Sequence, residues 1–150
     1  MHQKLFLIMS FVIEANIGAG KSTLVHNIAT YLTNICNISV QKFTEPTDLW
    51  EKTPEGNLLA MYGADPKTYA FPLQSLIMAT MSKQRQNLSS ADVRLFEKSL
   101  DSAKFIFQQL LEKDGLITSL ESYILNNIYD ALKVSKPRVD GVIYLKVNLN

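Results

Sequence analysis

Cysteine is almost absent from this chain of 150 residues, since Cys36 is the only one. A single thiol excludes an intramolecular disulfide, and with it the disulfide framework on which many small secreted domains depend. Neither Cys36 nor His26 has a second cysteine or histidine at metal-ligand spacing, so the sequence gives no signal for a zinc site. We therefore expect a reduced setting, cytoplasmic rather than mitochondrial, in which Cys36 is a small apolar filler.

An excess of charge of one sign is also missing. Fifteen Lys and Arg residues face fourteen Asp and Glu residues, which gives a formal charge of +1. This balance argues against the broad basic surface that nucleic-acid binding requires, so no nucleic-acid partner is expected. The apolar fraction of 47% excludes a disordered chain, and the length is that of one domain, so residues 1–150 are expected to form a single one.

Long hydrophobic runs are absent too, and no membrane partner is expected. The run Leu5 to Ile13 is far shorter than the roughly 20 apolar residues that a membrane-spanning helix needs. With Met1 to Lys4 before it, the run could be read as a signal peptide. Glu14 interrupts it at once and a glycine-containing loop follows, so a buried strand is the favoured interpretation.

Strands and helices alternate along the rest of the chain. Strands are predicted at Leu5–Ile13, Ile38–Phe43, Val93–Phe96 and Gly141–Leu145. Helices are predicted after the first loop, from Asp65 to about Arg85 with a kink or restart at Pro72, around Ala103 to Leu111, and along Ile117, Leu120, Ile124, Ile128 and Leu132. This order predicts an α/β fold of the P-loop NTPase type, with a parallel sheet covered by helices on both faces.

The strongest motif is the segment Ala15 to Ser22, which fits the phosphate-loop spacing G-x-x-x-x-G-K-S except that Ala15 replaces the first glycine. Glycines allow backbone N–H groups to turn toward phosphates, Lys21 adds a charge and Ser22 can bind magnesium. Ala15 would be excluded only if its φ angle were positive. The motif predicts ATP and Mg²⁺ as cofactors, with the nucleotide bound by Asn16, Ile17, Gly18, Ala19, Gly20, Lys21, Ser22 and Thr23.

Two acids follow predicted strands, where ligands of α/β sheets collect. Glu97 suits a magnesium ligand, and Glu45 suits a general base that takes a proton from an attacking hydroxyl. The ordinary alternative for either acid is to cap a helix or to face solvent. Together the two acids favour phosphoryl transfer.

Several separated motifs resemble the deoxyribonucleoside kinase family in order and spacing. They are Glu14 to Thr23, Glu45-Pro-Thr-Asp-Leu-Trp50, Asn57 to Tyr62, Asp65-Pro-Lys, Phe71-Pro-Leu-Gln-Ser75 and Glu97-Lys-Ser-Leu-Asp-Ser-Ala103. The resemblance implies transfer of phosphate from ATP to the 5′-hydroxyl of a deoxynucleoside. It implies Glu45, Lys21 and Lys98 as catalytic residues, Ser22 and Glu97 at the metal, and the substrate at Glu45, Trp50, Met61, Tyr62, Gln74, Met81, Lys98, Ala103 and Phe107.

The pyrimidine preference rests on three of those positions. Gln74 offers one acceptor and two donors, which suit the edge of thymine or, after rotation, that of cytosine. Met81 and Ala103 stand where relatives that prefer purines or cytosine tend to place Arg and Asp, so a thymidine-like preference is predicted. The ordinary alternative is that Gln74 is a buried amide bonded to backbone and that the aromatic side chains belong to the core.

The sequence departs from the family pattern in two ways that bear on activity. Lys98 replaces the arginine of the acid-Arg-Ser motif. The planar, forked guanidinium group of arginine is thereby exchanged for an ammonium group, which acts as a point charge. The family continues beyond Leu145 with a lid and a final strand, so the domain is expected to be incomplete at its C-terminus, with an exposed fourth strand. Alternatives are a noncatalytic nucleotide-binding remnant or partner subunit, and a nucleoside monophosphate kinase; a homodimer is a further expectation.

Overall fold

The computed structural model describes residues 7–147, and Leu5 and Phe6 of the first predicted strand lie outside them, as does the charged part of the signal-peptide alternative. The strands are β1 (Met9–Ala15), β2 (Val40–Phe43), β3 (Val93–Glu97) and β4 (Gly141–Leu145). The helices are α1 (Lys21–Asn34), α2 (Thr47–Glu51), α3 (Leu58–Ala64), α4 (Pro66–Gln84), α5 (Leu100–Ser102), α6 (Gln109–Lys113) and α7 (Ser119–Leu132), with a π-helical segment at Ala103–Gln108 and a 3₁₀ turn at Lys133–Ser135.

The chain forms two compact units that are each discontinuous in sequence. Unit 1 takes the described residues up to Thr44, Leu88–Ser99 and those from Pro137 onward, and it holds the four strands and α1. Unit 2 takes Glu45–Asn87 and Leu100–Lys136, and it holds the remaining helices. The α/β class predicted from the sequence is confirmed, while its description as a single domain stays a prediction.

Unit 1 is built on a parallel sheet, as the alternating pattern predicted, and the structure gives its strand order as β2-β3-β1-β4. Ile13 of β1 lies opposite Glu97 of β3 on one side and Ile143 of β4 on the other. Val12 and Ile13 are both almost fully buried although they point to opposite faces, which explains the continuous apolar run of β1. Of the described residues, Leu7 and Ile8 of the predicted strand lie before β1, which begins at Met9 and continues through Glu14 to Ala15.

The sheet of unit 1 has an apolar core on each face. On one face Ile13 and Leu95 pack with Val25 and Ala29 of α1. On the other face Val12 packs with Phe43 and Phe96, whose rings stack at 4.6 Å between centroids. Each core includes a residue near the carboxyl end of β1 and one near that of β3, so the backbone that follows these strands starts from packed positions.

The fourth strand is exposed, as the sequence predicted. Among the strands at residues 7–147, β4 pairs with β1 alone. Val142 and Tyr144 on one side of β4 are 64% and 63% exposed, whereas Gly141, Ile143 and Leu145 are half-buried. The outcome is an edge strand with two exposed apolar side chains.

Unit 2 is organised around α4, whose bounds agree with the prediction. The Asp65 side chain accepts a hydrogen bond from the Thr68 N–H at 3.3 Å, and Pro66 is the first helical residue. The predicted restart at Pro72 does not occur, because the helix runs on through this residue to Gln84. Pro72 is the seventh residue of α4, so it removes one internal backbone hydrogen bond, and the helix continues on both sides of it.

The helix after β3 contains an irregularity that its apolar spacing did not predict. Three residues of α-helix are followed by the π-helical Ala103–Gln108 and then by α6. A π segment accommodates an extra residue in one turn, so the 3.6-residue period is interrupted there. The helix ends near Gly115, whose φ angle of 65° is left-handed, as predicted.

The last helix, α7, begins at a capping box in which Thr118 and Glu121 exchange side-chain to backbone hydrogen bonds. Its predicted apolar face was partly wrong. Leu120 and Ile124 are 67% and 37% exposed, while Leu125 and Tyr129 are buried. The buried face is rotated because Tyr129 turns inward, where its hydroxyl donates to Asp101 at 2.5 Å.

None of the helices at residues 7–147 combines the length and apolar character needed to cross a membrane.

Candidate active site

The loop between β1 and α1 has the backbone conformation that a phosphate loop requires. The Ala19 N–H donates to the Asn16 carbonyl at 3.2 Å and closes a turn. Gly18 and Gly20 have φ angles of 74° and 90°, and a Cβ atom at either position would meet no other atom within 4 Å. Glycine is therefore needed here for its left-handed backbone and not for space.

Alanine at position 15 is compatible with this loop. Ala15 is the last residue of β1 and pairs in register with Leu145 of β4. The non-glycine residues with positive φ at positions 7–147 are Asn37 and Lys98, so Ala15 has ordinary extended backbone. The one departure from the phosphate-loop spacing thus causes no strain.

Lys21 lies against the loop at the start of α1. The residue is 6% exposed, and its Nζ atom lies 3.3 Å from the Ala15 carbonyl and 3.2 Å from the Asn16 carbonyl. The first turn of the 14-residue helix carries no acidic side chain that would oppose its positive end. A phosphate oxygen would find a full positive charge and the helix dipole acting together.

Ser22 and Glu97, which were both predicted as metal ligands, form the other polar pair at the loop. The Ser22 hydroxyl donates to Glu97 Oε1 at 2.7 Å, and Glu97 is 4% exposed at the end of β3. Both are oxygen ligands of the kind that Mg²⁺ prefers. Within residues 7–147 no cluster of three or more His, Cys, Asp or Glu could hold a metal. Phosphate and water oxygens would complete the shell, as is usual for nucleotide-bound magnesium.

The residues after Glu97 form a contact that sequence reasoning missed. Ser99 Oγ donates to Glu14 Oε1 at 2.7 Å. Lys98, between them, has a φ angle of 61°, and its N–H donates to the Ile13 carbonyl at 3.0 Å. Glu14 and Ser99 are both members of the motifs that carry the family resemblance, which was the available signal, but nothing in their spacing showed that they meet.

The predicted nucleoside residues belong to unit 2, apart from Lys98. Gln74 is 3% exposed, and its Nε2 donates to the Ala103 carbonyl at 2.6 Å at the start of the π segment. This hydrogen bond to backbone is the contact that the alternative interpretation of Gln74, as an ordinary buried amide, predicted. One of two amide hydrogens is used, so the predicted contact with a base stays a prediction.

Trp50 and Met81 are brought together in the core of unit 2. They are 4% and 1% exposed, and the indole N–H of Trp50 donates to Thr80 Oγ1 at 2.9 Å. Met61 and Tyr62 pack half-buried against this cluster. Phe107 is half-buried in the π segment, and Glu45 is half-buried just before α2. Trp50 is thus packed in an apolar cluster, and its predicted contact with the base stays a prediction.

Known proteins resemble this chain over almost its whole described length. The sequence model of the deoxynucleoside kinase family matches residues 11–150. Human mitochondrial thymidine kinase 2 is 28% identical over 137 residues, which are 91% of this chain and 49% of that protein. A probable deoxycytidine kinase of fowlpox virus is 31% identical over 140 residues, covering 91% of this chain and 55% of the viral protein.

A putative kinase of invertebrate iridescent virus 6 is also 31% identical, over 141 residues that make up 91% of this chain and 62% of the viral protein. The chain therefore spans about half to three fifths of the length of these relatives. The family match nevertheless extends from β1 through all the described elements that follow it. The chain belongs to the deoxynucleoside kinase family.

Proposed function

We propose that this protein transfers the γ-phosphoryl group of ATP to the 5′-hydroxyl of a deoxynucleoside. The observation that carries the proposal is the bond of 2.7 Å between Ser22 and Glu97 at a glycine loop of phosphate-binding conformation. This pairing joins the loop hydroxyl to a strand-end carboxylate, which is the arrangement that P-loop enzymes use for a nucleotide with its metal.

Each group of unit 1 then has a separate task. Backbone N–H groups of the loop and the Lys21 ammonium hold phosphate oxygens, and Ser22 and Glu97 would hold Mg²⁺. The metal, when bound, would neutralise charge on the β- and γ-phosphates. Lys98 would add a second cation beside the transferring group, as a single point charge in place of the arginine that the family motif carries.

Glu45 is proposed as the base that accepts the proton of the 5′-hydroxyl. A carboxylate suits this task when it meets the hydroxyl directly, because phosphoryl transfer depends mainly on the position of the attacking oxygen. Tyr62, Gln74 and Phe107 are proposed as the contacts of the sugar and base. All four side chains are buried or half-buried.

We propose a pyrimidine substrate with a thymidine-like preference. Met81 and Ala103 are 1% and 3% exposed and carry no charge, so neither offers the ion or the acidic acceptor that would favour a purine or cytosine. The names of the relatives include both a thymidine kinase and deoxycytidine kinases, so they support pyrimidines in general.

The first test is phosphorylation of labelled thymidine and deoxycytidine by the purified chain with ATP and magnesium. Thymidine should be turned over faster, and Lys21→Ala and Glu45→Gln should each remove turnover. Higher activity with deoxyguanosine or deoxyadenosine would contradict the pyrimidine preference. If the wild-type chain binds MgATP but phosphorylates neither nucleoside, the noncatalytic alternative is favoured instead.

A homodimer is proposed as the assembly, on the ground of the exposed side of α7. Leu120 and Tyr123 are 67% and 65% exposed on adjacent turns of this helix, and Ile124 is 37% exposed beside them. Apolar side chains clustered on one helical face are typical of a protein contact surface.

A further inference from the structure

Two side-chain bridges connect the two ends of the phosphate loop, Glu14 in β1 and Ser22 in α1, with the residues at the end of β3. Ser22 Oγ donates to Glu97 Oε1 at 2.7 Å, and Ser99 Oγ donates to Glu14 Oε1 at 2.7 Å. The donors and acceptors alternate along the two segments, so residues 97 and 99 are each fastened to the loop region. Residue 98 lies between these two fixed points.

Lys98 also has an unusual backbone. Its φ angle of 61° lies in the left-handed region, which a side chain with a Cβ atom rarely adopts without support from its surroundings. Its N–H donates to the Ile13 carbonyl at 3.0 Å. Three hydrogen bonds within three consecutive residues therefore hold Lys98 in a conformation that the chain would not choose alone.

We propose that Glu14 and Ser99 are a positioning pair that sets the direction of the Lys98 side chain at the phosphate loop. A left-handed residue directs its Cα–Cβ bond differently from an extended one, so the position of the ammonium depends on this backbone state. Ser99 is the last residue before α5, and its bond to β1 stops the segment from relaxing. The inference rests on the proposed function, because it gives Lys98 a phosphate to contact.

The Glu97 bridge cannot replace this pair. Glu97 is the residue proposed to bind the metal, and Ser22 would have to share its hydroxyl with the same ion. If Ser22 and Glu97 both held Mg²⁺, the hydrogen bond between them would have to change. The bond between Glu14 and Ser99 involves neither group, so it can hold Lys98 while the nucleotide and its metal enter.

The test is a double-mutant cycle read by MgATP affinity with the full chain. Lys98→Gly removes the ammonium, and Ser99→Ala removes the bond to Glu14. Each should weaken MgATP binding by about tenfold, the size expected for loss of one hydrogen bond to a charged group. The double variant should bind no more weakly than Lys98→Gly alone, since Ser99 acts through Lys98. Ser99→Thr keeps the hydroxyl and should restore binding.

Ser39→Ala is the matched control, since it removes another serine-to-carboxylate bond of unit 1, the 2.6 Å contact with Asp92. It should leave MgATP affinity unchanged. Unchanged affinity in Ser99→Ala, or an equal further loss when Ser99→Ala is added to Lys98→Gly, would overturn the positioning pair and leave the proposed function intact. A wild-type chain that binds no MgATP would overturn both.

Discussion

At the scale of single residues, the two left-handed glycines of the phosphate loop contrast with a glycine inside a helix. Gly20 has a φ angle of 90°, whereas Gly63 lies within α3 and has no positive φ. A Cβ atom would meet nothing within 4 Å at either position, so the two sites differ in backbone conformation and not in space.

This contrast predicts opposite effects of the same substitution. Gly20→Ala should lower the free energy of unfolding by about 1–2 kcal/mol, because alanine is strained at this angle, and should weaken nucleotide binding. Gly63→Ala should raise the free energy of unfolding by about 0.4–1 kcal/mol, because it restricts the unfolded chain and suits a helix. Urea unfolding of both variants measures the difference, and equal shifts would contradict the conformational argument.

At Lys98 the proposed chemistry can be tested with a substitution that is expected to raise activity. Lys98→Arg restores the planar fork of the family motif, which can hold two oxygens of a phosphoryl group. We expect kcat for thymidine phosphorylation to rise by about tenfold, the equivalent of about 1.4 kcal/mol, with a smaller change in KM. Lys98→Gln is the comparison that lacks charge, and a rate no higher in Lys98→Arg than in wild type would refute the expected contact.

The conformation of the loop proposed to bind phosphate could be predicted from the sequence because it depends on local spacing. Gly18, Gly20, Lys21 and Ser22 are neighbours along the chain, and their loop follows directly from that order. Ser99 was not predicted, because its contact with Glu14 joins residues 85 positions apart. The roles of Trp50 and Gln74 stayed open for a related reason, since their partners Thr80 and Ala103 depend on how helices pack.

At the scale of secondary-structure elements, α7 depends on its capping box. Thr118→Ala removes the side-chain acceptor of the Glu121 N–H and should lower the free energy of unfolding by about 1 kcal/mol. Ser119→Ala is the neighbouring control on an exposed residue and should change it by less than about 0.5 kcal/mol. Thermal or urea unfolding distinguishes the two, and equal losses would mean that the cap contributes nothing specific.

The inner face of α7 predicts a dependence on alkaline pH. Burial, together with the hydrogen bond to Asp101 and the charges of Asp101 and Asp130, raises the pKa of Tyr129 to about 12. An unfolded tyrosine titrates near about 10, so the stabilising effect of protonated Tyr129 is complete below that pH. It is lost as pH rises through about 12, because the unfolded chain releases its proton first.

The measurement is urea unfolding between pH 8 and pH 11. Wild type should lose stability above pH 10, and Tyr129→Phe should be less stable at pH 8 but should lose less on going to pH 11. Tyr123→Phe changes a tyrosine that is 65% exposed and should keep the slope of wild type. The idea fails if Tyr129→Phe shows the same decline as wild type.

Element positions were predicted more reliably than element faces. The start of α4 at Asp65 and Pro66 follows from capping chemistry that acts within a few residues. The face of α7 depends instead on Tyr129 reaching Asp101, and the π segment depends on an extra residue within one turn. Neither cause leaves a periodic signal, so both corrections came only with the structure.

At the scale of the whole molecule, the proposed homodimer gives a prediction about assembly. Leu120→Lys places a charge on the exposed side of α7 and should shift the chain toward monomer in size-exclusion chromatography with light scattering. Val134→Lys, at a residue that is 84% exposed in the 3₁₀ turn, should leave the assembly unchanged. A wild-type chain that is monomeric at high micromolar concentration would contradict the dimer.

The parallel sheet was predictable because strands that alternate with helices have few permitted topologies. What the sequence could not show is that unit 2 is formed by two separate insertions between the strands of unit 1. The insertions follow Thr44 and Ser99, which are ordinary polar residues without the composition of a linker. The two units are defined by contacts between residues that are far apart in sequence, and such contacts leave no local sequence pattern.

The position of β1 in the middle of the sheet has a consequence for how the protein is made. The hydrogen-bond partners of β1 lie far along the chain. Glu14 accepts from Ser99, and the Ser10 N–H donates to Asp140, which is 130 residues further along. A ribosome must therefore release nearly all of this segment before β1 can be enclosed. Within this segment the loop after β1 precedes both neighbouring strands, so β1 remains without its pairing partners until β3 and then β4 have been synthesised.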